Sequence, residues 1–199
     1  MSLFRKIFGT GDVSGEEKQG DTSPFLPEKQ LPVDEMFTFN FKKNGGKFVY
    51  CDSTTDLHEQ FLNILEENDW FECEAMTFEP ALYPLLDENK LVYRNAANPK
   101  FLISTCESLV ADEGSILFSS NQFKHFKPSE LPDNMVVYAT TSQILSSKSD
   151  CLRHIKKRYD KEYPTNITAL KYFEKSKDED FLHYGSVPKN LYLLLLEDL

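Results

Sequence analysis

The amino-acid sequence predicts a three-layer α/β domain with a mixed sheet, preceded by a flexible segment. Three observations support this. Helix and strand patterns alternate along much of the chain, two β-rich runs near residue 110 leave no room for a helix between them, and the last apolar run is nearly continuous. Alternating elements are typical of a sheet covered by helices, and closely spaced strands favour antiparallel pairing. The 199 residues suffice for one such domain and a tail.

Residues 1–33 are predicted to form an N-terminal hook and a flexible linker, and residues 34–199 the α/β domain. Apolar side chains recur at helical spacing over the first eight residues, which fits either a short amphipathic hook or a frayed terminus. Segment 9–33 contains four glycines and three prolines among scattered charges. Such a composition offers no periodic apolar face and is typical of a linker.

The domain is expected to begin with a helix over 34–46, where acidic residues come first, lysines come late and glycine ends the segment. Its apolar side is assigned to Met36 and Phe39, with Phe37 and Phe41 as further members.

A strand at 47–51 and a second helix follow. Asp52 or Ser53 is the expected N-cap of that helix. Spacing of i, i+4 and i+8 predicts its buried stripe at Leu57, Phe61 and Leu65, with Ile64 as a further member. The segment from Trp70 through ECEAM then predicts another strand, and EPALYPLLDEN a short helix or turn.

Three apolar, β-rich runs occupy residues 100–141. KFLISTCESLV and GSILFSS flank the acidic turn ADEGS and predict an antiparallel hairpin, and MVVYATT predicts a third strand. A helix is expected over 150–161, with Leu152, Ile155 and Tyr159 on its apolar side. ITALKYF and LYLLLLED predict closing strands, and the second is expected to be central because it is apolar almost throughout.

Charge and hydropathy argue against two classes of partner. Lys plus Arg number 22 and Asp plus Glu number 32, so the formal net charge is −10. This negative field opposes nucleic-acid binding, and the alternating bases and rings of 123–127 are interpreted as a solvated loop. The longest apolar run, 191–196, is too short to span a membrane, and the N-terminus lacks the apolar core of a signal peptide. We expect a cytoplasmic protein.

The cysteines and histidines show no ligand pattern. The cysteines stand singly and no pair has CxxC spacing; they are Cys51, Cys73, Cys106 and Cys151. We therefore expect reduced thiols, no metal and no cofactor. The four histidines are also isolated, and none lies in an HExxH motif, although a triad assembled from distant positions remains open.

The acidic turn holds the candidate site residues. Asp112 and Glu113 are adjacent carboxylates at a strand end and are candidate catalytic groups, able to act as base, nucleophile or hydrogen-bond acceptor. Thr105, Gly114 and Ser115 are candidate ligand-binding residues through a hydroxyl and two backbone N–H groups. Gly114 suits the positive φ that such a turn requires. The alternative interpretation is an ordinary solvated hairpin turn.

The stretch from Ile103 through Leu117 resembles the signature of the LUD-domain family, the lactate utilisation group that includes LutC (YkgG). In that family a threonine-bearing strand leads into an AxxGT turn. Here Thr105 precedes ADEGS, with serine in place of the turn's threonine. SELPDNMVVYATTSQIL and the ending PKNLYLLLLED resemble later segments of the family. The resemblance covers roughly 34–199 and implies the NagB/RpiA/CoA transferase-like fold.

The same resemblance implies an accessory component of bacterial L-lactate oxidation to pyruvate. Iron–sulfur oxidoreductase subunits are the implied partners, because four scattered cysteines do not form a cluster site. The chain departs from the LutC pattern at FEKSKDEDFLHYGSVPK, where acidic residues 178–180, Gly185 and Pro188 are the traces of two family motifs. The alternatives are a stand-alone enzyme or ligand-binding domain acting on an acyl or phosphorylated small molecule, and a degenerate assembly domain.

In the implied fold, Thr105 and the acidic turn are expected to border one main cleft, since functional groups of open α/β sheets collect at strand ends. The net negative charge disfavours an anionic ligand there unless a lysine such as Lys124 or Lys171 covers the site.

Overall fold

Two β-sheets and the helices that cover them form the part of the chain described by this computed structural model, residues 31–173 and 189–198. Nearly all of the predicted hook and linker lies outside the described residues, as do acidic residues 178–180, Gly185 and Pro188. No helix within the described residues is long and apolar enough to cross a membrane.

Five α-helices and nine strands are present in these described ranges. The helices are α1 (Val33–Lys43), α2 (Thr54–Glu67), α3 (Tyr83–Glu88), α4 (Ser120–Phe123) and α5 (Lys148–Arg158). The strands are β1 (Lys47–Cys51), β2 (Ala75–Met76), β3 (Phe101–Ser104), β4 (Ser108–Val110), β5 (Ser115–Phe118), β6 (Asn134–Thr140), β7 (Ile144–Leu145), β8 (Thr168–Leu170) and β9 (Asn190–Leu196). Short 3₁₀ turns occur at Pro80–Leu82, Pro128–Glu130 and Thr141–Gln143.

The larger sheet is parallel throughout, with the strand order β1-β9-β6-β3-β2. Strand β9 pairs with β1 on one side and with β6 on the other, and its residues 191–195 are all buried. Buried parallel strands are apolar on both faces because helices or a second sheet cover both. The central position expected for the last apolar run is therefore confirmed.

The smaller sheet is mixed, with the order β7-β4-β5-β8. Strands β4 and β5 form the expected antiparallel hairpin, β7 is parallel to β4, and β8 is antiparallel to β5. The run KFLISTCESLV, expected to be one strand, divides into β3 in the larger sheet and β4 in the smaller one. The α/β class is confirmed, and its strands are shared between two sheets because the two halves of that run pair with different partners.

Helix α1 buries only part of its expected apolar side. Phe37 and Phe41 are fully buried and their rings stack 5.3 Å apart, whereas Phe39 is 61% exposed and Met36 is half-buried. Residues four apart lie on the same side of a helix, and a residue two positions away points to the other side. Assigning Phe39 to the core was therefore wrong.

Helix α2 follows its prediction closely. Ser53 is the N-cap, its Oγ accepting the N–H of Asp56 at 3.1 Å, and all four predicted stripe residues are buried. The strand expected from Trp70 onward is shorter than predicted and consists of β2 alone. Trp70 lies outside the sheet, and its ring stacks on that of Phe101 with 4.7 Å between the centroids. This stack lies in the core between α2 and the larger sheet.

Candidate functional site

The carboxyl ends of the parallel strands lie along one edge of the larger sheet, and hydroxyl, amide and carboxylate groups follow them directly. Glu79 lies shortly after β2, Thr105 follows β3, Thr141–Gln143 follows β6, and Asp198 follows β9. Ligands of open α/β sheets bind outside the carboxyl ends of the strands. This carboxyl edge is the candidate site.

Glu79 and the end of β3 form its most closely bonded cluster. The Glu79 carboxylate accepts the Ser104 hydroxyl at 2.8 Å, the Thr105 N–H at 2.7 Å and the Thr105 hydroxyl at 2.6 Å. Three short hydrogen bonds hold both carboxylate oxygens and the Thr105 hydroxyl in fixed positions. A carboxylate this close to a hydroxyl is within the reach that a general base needs to take its proton.

A second cluster joins the ends of β9 and β6. The Asp198 carboxylate accepts the Thr141 hydroxyl at 2.9 Å, and the N–H and hydroxyl of Ser142 at 2.9 and 2.6 Å. Burial on its own would raise the pKa of Asp198, but the hydrogen bonds from Ser142 and its neighbours outweigh it and hold that pKa below its usual value. Asp198 is therefore a fixed anion at the carboxyl edge.

Gln143 and Cys106 connect these two clusters. The Gln143 amide donates to the Cys106 carbonyl at 2.8 Å, while its oxygen accepts the Thr140 N–H at 2.8 Å. Burial, together with the nearby carboxylates of Glu107 and Glu79, strongly raises the pKa of the Cys106 thiol. All four cysteines are free, and Cys106 stays a neutral thiol unsuited to nucleophilic attack at physiological pH.

A buried carboxylate lies beneath this edge. Glu107 is only 1% exposed and accepts hydrogen bonds from Ser119 Oγ at 2.6 Å, from Asn121 Nδ2 at 3.2 Å and from the Tyr159 hydroxyl at 3.1 Å. These donors come from α4 and its cap and from the end of α5. Because an uncompensated buried carboxylate is costly, the network fixes the hairpin against both helices.

The acidic turn lies at the other end of the hairpin from Thr105. Thr105 precedes β4, whereas the turn follows it, between the paired residues Val110 and Ser115. Gly114 has the expected positive φ of 59°. The structure brings Asp112, Glu113, Gly114 and Ser115 together but separates them from Thr105, so the two do not border one cleft as the sequence had suggested.

Instead, the turn packs on α1. The side-chain amide of Asn40 donates to the Ala111 carbonyl at 2.9 Å, and that of Asn44 donates to the carbonyls of Glu113 and Gly114 at 2.8 and 3.0 Å. Ser115 is fully buried, and its hydroxyl donates to the Glu113 carboxylate at 3.3 Å. The Asp112 side chain remains exposed.

The described residues contain no group of three or more His, Cys, Asp or Glu side chains arranged to hold a metal ion. At the carboxyl edge the chain itself presents hydroxyls, amides and carboxylates, among them the carboxylates of Glu79 and Asp198.

The family model of the LUD domain matches residues 35–196, which include nearly all of the helices and strands described above. The chain belongs to the LUD-domain family. The fold is shared with the crystal structure of a DUF162 family protein from Deinococcus radiodurans, at a TM-score of 0.59 and 10% sequence identity, covering 85% of this chain and 100% of that one. No curated protein matches the chain.

Sequence reasoning missed three candidate site residues of this LUD domain: Glu79, Glu107 and Asp198. Their hydrogen-bond partners are 12 to 57 residues away in sequence, so no local motif marks them. The only available signal was position, because Glu79 and Asp198 come soon after runs that read as strands. Glu107 stands inside such a run and gave no signal.

Proposed function

We propose that this LUD-domain protein is a LutC-type accessory component of L-lactate oxidation to pyruvate. The observation that carries the proposal is the family match over 35–196, in a family associated with lactate utilisation. In this role iron–sulfur oxidoreductase subunits carry the electrons. The LUD domain contributes binding and acid–base groups, not a redox centre of its own.

The Glu79–Thr105 pair supports this role structurally. It presents a carboxylate and a hydroxyl 2.6 Å apart at the carboxyl edge of the parallel sheet. A hydroxy acid such as lactate carries a hydroxyl. A positioned carboxylate can accept a hydrogen bond or a proton from that hydroxyl. The same pair fits the alternative of a stand-alone enzyme or ligand-binding domain acting on an acyl or phosphorylated small molecule.

The acidic turn is retained as a second candidate for the site. Asp112 and Glu113 are proposed as its acid–base groups, and Gly114 and Ser115 as its backbone donors. Because Asp112 is exposed and Glu113 half-buried, amide substitutions that keep their volume should leave stability nearly unchanged.

Growth on L-lactate tests the proposal. A strain lacking this gene should fail to grow on L-lactate while growing normally on a fermentable sugar, and the wild-type gene should restore growth. Glu79→Gln keeps the volume but cannot accept all three bonds, so we expect it to restore growth poorly. The double variant Asp112→Asn, Glu113→Gln tests the turn in the same assay. Full growth with this variant would show that the turn only connects the two strands of the hairpin and is not part of the site.

Affinity purification of the full chain from its native host distinguishes the accessory role from the stand-alone alternative. Co-purification of iron–sulfur oxidoreductase subunits supports the accessory role. Normal growth of the deletion strain on L-lactate, with the protein purifying alone, would contradict it and favour the stand-alone alternative.

A further inference from the structure

A cavity of about 270 Å³ lies next to the candidate site, between α4, the loop after it and the start of β8. Its lining includes Ser119, Lys124, His125, Phe126 and Lys127. The alternating bases and rings that the sequence placed in a solvated loop therefore form the wall of a pocket.

The charge of this cavity differs from that of the chain. Every titratable residue that lines it is basic, namely Lys124, His125 and Lys127, although the chain carries a formal net charge of −10. A larger cavity of about 460 Å³ is lined by Glu130 and Asp133 and by no basic residue. Clustered positive groups in a concave site attract and hold anions.

Lys124 takes an unfavourable backbone conformation to lie there. Its φ and ψ are 53° and −119°, and the Phe126 N–H donates to the Phe123 carbonyl at 2.9 Å. This geometry is that of the first central residue of a type II′ turn, a position that favours glycine because a Cβ is strained there. Backbone strain of this kind clusters at active sites and ligand-binding segments.

The Lys124 ammonium is already oriented. It donates to the Asn121 carbonyl at 2.8 Å, which uses one of its three N–H bonds and leaves two for a ligand. The Glu130 carboxylate accepts the backbone N–H of Lys127 at 2.7 Å and lines the other cavity. Within the described residues, Glu130 forms no ion pair with Lys124 or Lys127. Both ammonium groups can therefore pair with an anion.

Aromatic contacts connect the cavity to the carboxyl edge. The Phe126 ring stacks on His125 at 4.2 Å and on Phe78 at 5.4 Å, and Phe78 immediately precedes Glu79. On the other side, Ser119 lines the cavity and donates to the buried Glu107. A ligand in the cavity would lie near the groups that the proposed function uses.

We propose that this cavity binds a small organic anion through Lys124 and Lys127, with its carboxylate or phosphate at the lysines and its body against Phe126. The volume is below the roughly 300 to 1,000 Å³ of pockets for drug-sized ligands, so the ligand is a small metabolite. The inference deepens the proposed function and rests on it only for the choice of lactate as a probe.

Nuclear magnetic resonance titration of the full, ¹⁵N-labelled chain tests the site. The probes are L-lactate, inorganic phosphate and lactamide, the neutral amide with nearly the shape of lactate. We expect saturable shifts of the amide signals of 124–127 and 166–168 with an anion and none with lactamide. Saturation by lactate alone assigns a carboxylate ligand, and saturation by phosphate alone a phosphorylated one. The absence of saturable shifts with both anions would overturn the proposal.

Two matched lysine variants identify the side chain responsible. Lys124→Gly removes the charge and relieves the strain, so it should weaken anion binding about tenfold while raising the melting temperature. Lys90→Gly is the control, because Lys90 also has a positive φ, 56°, but does not line the cavity. It should raise the melting temperature and leave binding unchanged, and equal binding by wild type and Lys124→Gly would refute the site.

The two proposals fail separately. If growth on L-lactate requires the gene but the cavity binds no anion, the ligand site is wrong and the accessory role stands. If the cavity binds an anion but growth on L-lactate does not require the gene, the accessory role is wrong and the ligand site stands.

Discussion

A Cβ atom built on Gly114 would lie 2.3 Å from the backbone carbonyl carbon of Asn40. The hairpin turn is thus pressed directly onto the main chain of α1, and the Asn40 and Asn44 side chains add hydrogen bonds around that contact. This contact joins the first helix of the domain to the hairpin of the smaller sheet, so the turn has a structural role whatever else its carboxylates do.

Gly114→Ala should strongly destabilise the domain. Alanine would be strained at a φ of 59° and its methyl group would collide with backbone that cannot rotate away, so we expect a loss of about 2–4 kcal/mol in the free energy of unfolding. Denaturant unfolding measures it. Asp112→Asn, at an exposed position of the same turn, should change the free energy by less than about 0.5 kcal/mol. A stable Gly114→Ala protein would show that the turn does not pack on α1.

Asn44→Ala should lower the free energy of unfolding by about 1–2 kcal/mol. The substitution removes the amide that donates to the Glu113 and Gly114 carbonyls and leaves them without that donor. Asn63→Ala is the control, since the Asn63 amide donates to the side chain of half-buried Gln60, three residues earlier on the same helix. Equal stability of the two variants would argue against the contact between α1 and the turn.

Asp198→Asn should reduce stability in a way that depends on pH. The folded protein holds the pKa of Asp198 below its usual 3.8, so its carboxylate stabilises the fold above that value and loses this contribution as pH falls through the lower, folded pKa. The stability difference between wild type and variant should therefore be largest near neutral pH and shrink in strong acid. Denaturant unfolding at neutral pH and at a series of decreasing acid pH values compares them. A difference independent of pH would contradict the ionised cluster.

The four thiols should differ in their reactivity. Cys73 is half-buried, whereas Cys51, Cys106 and Cys151 are buried, and burial raises the pKa of Cys51 to about 12 and that of Cys151 to about 11. A thiol-specific disulfide reagent should modify Cys73 first in the native protein and the other three only after unfolding. Cys73→Ser should remove the fast phase. A second fast thiol in the native chain would show that one buried cysteine is accessible.

The sequence by itself determined the elements whose signals are local. The stripe of α2, the apolar run of β9, the hairpin around ADEGS and the positive φ of Gly114 depend on spacing and on the chemistry of single residues, which is why pattern reasoning finds them. The resemblance around Thr105 and ADEGS likewise predicted the LUD-domain family, which the family-model match over residues 35–196 confirmed.

Only the tertiary structure decided where the functional groups meet. One β-rich run divides between the two sheets, so Thr105 and the acidic turn lie at opposite ends of the hairpin. Thr105 contacts Glu79 instead, which is 26 residues earlier in the sequence. Likewise, Lys124 could be read as a solvated loop residue until its backbone geometry and its place in a cavity were known. The physical reason is that strand pairing and side-chain hydrogen bonds join residues far apart in sequence, and their energies depend on three-dimensional partners that no local pattern encodes.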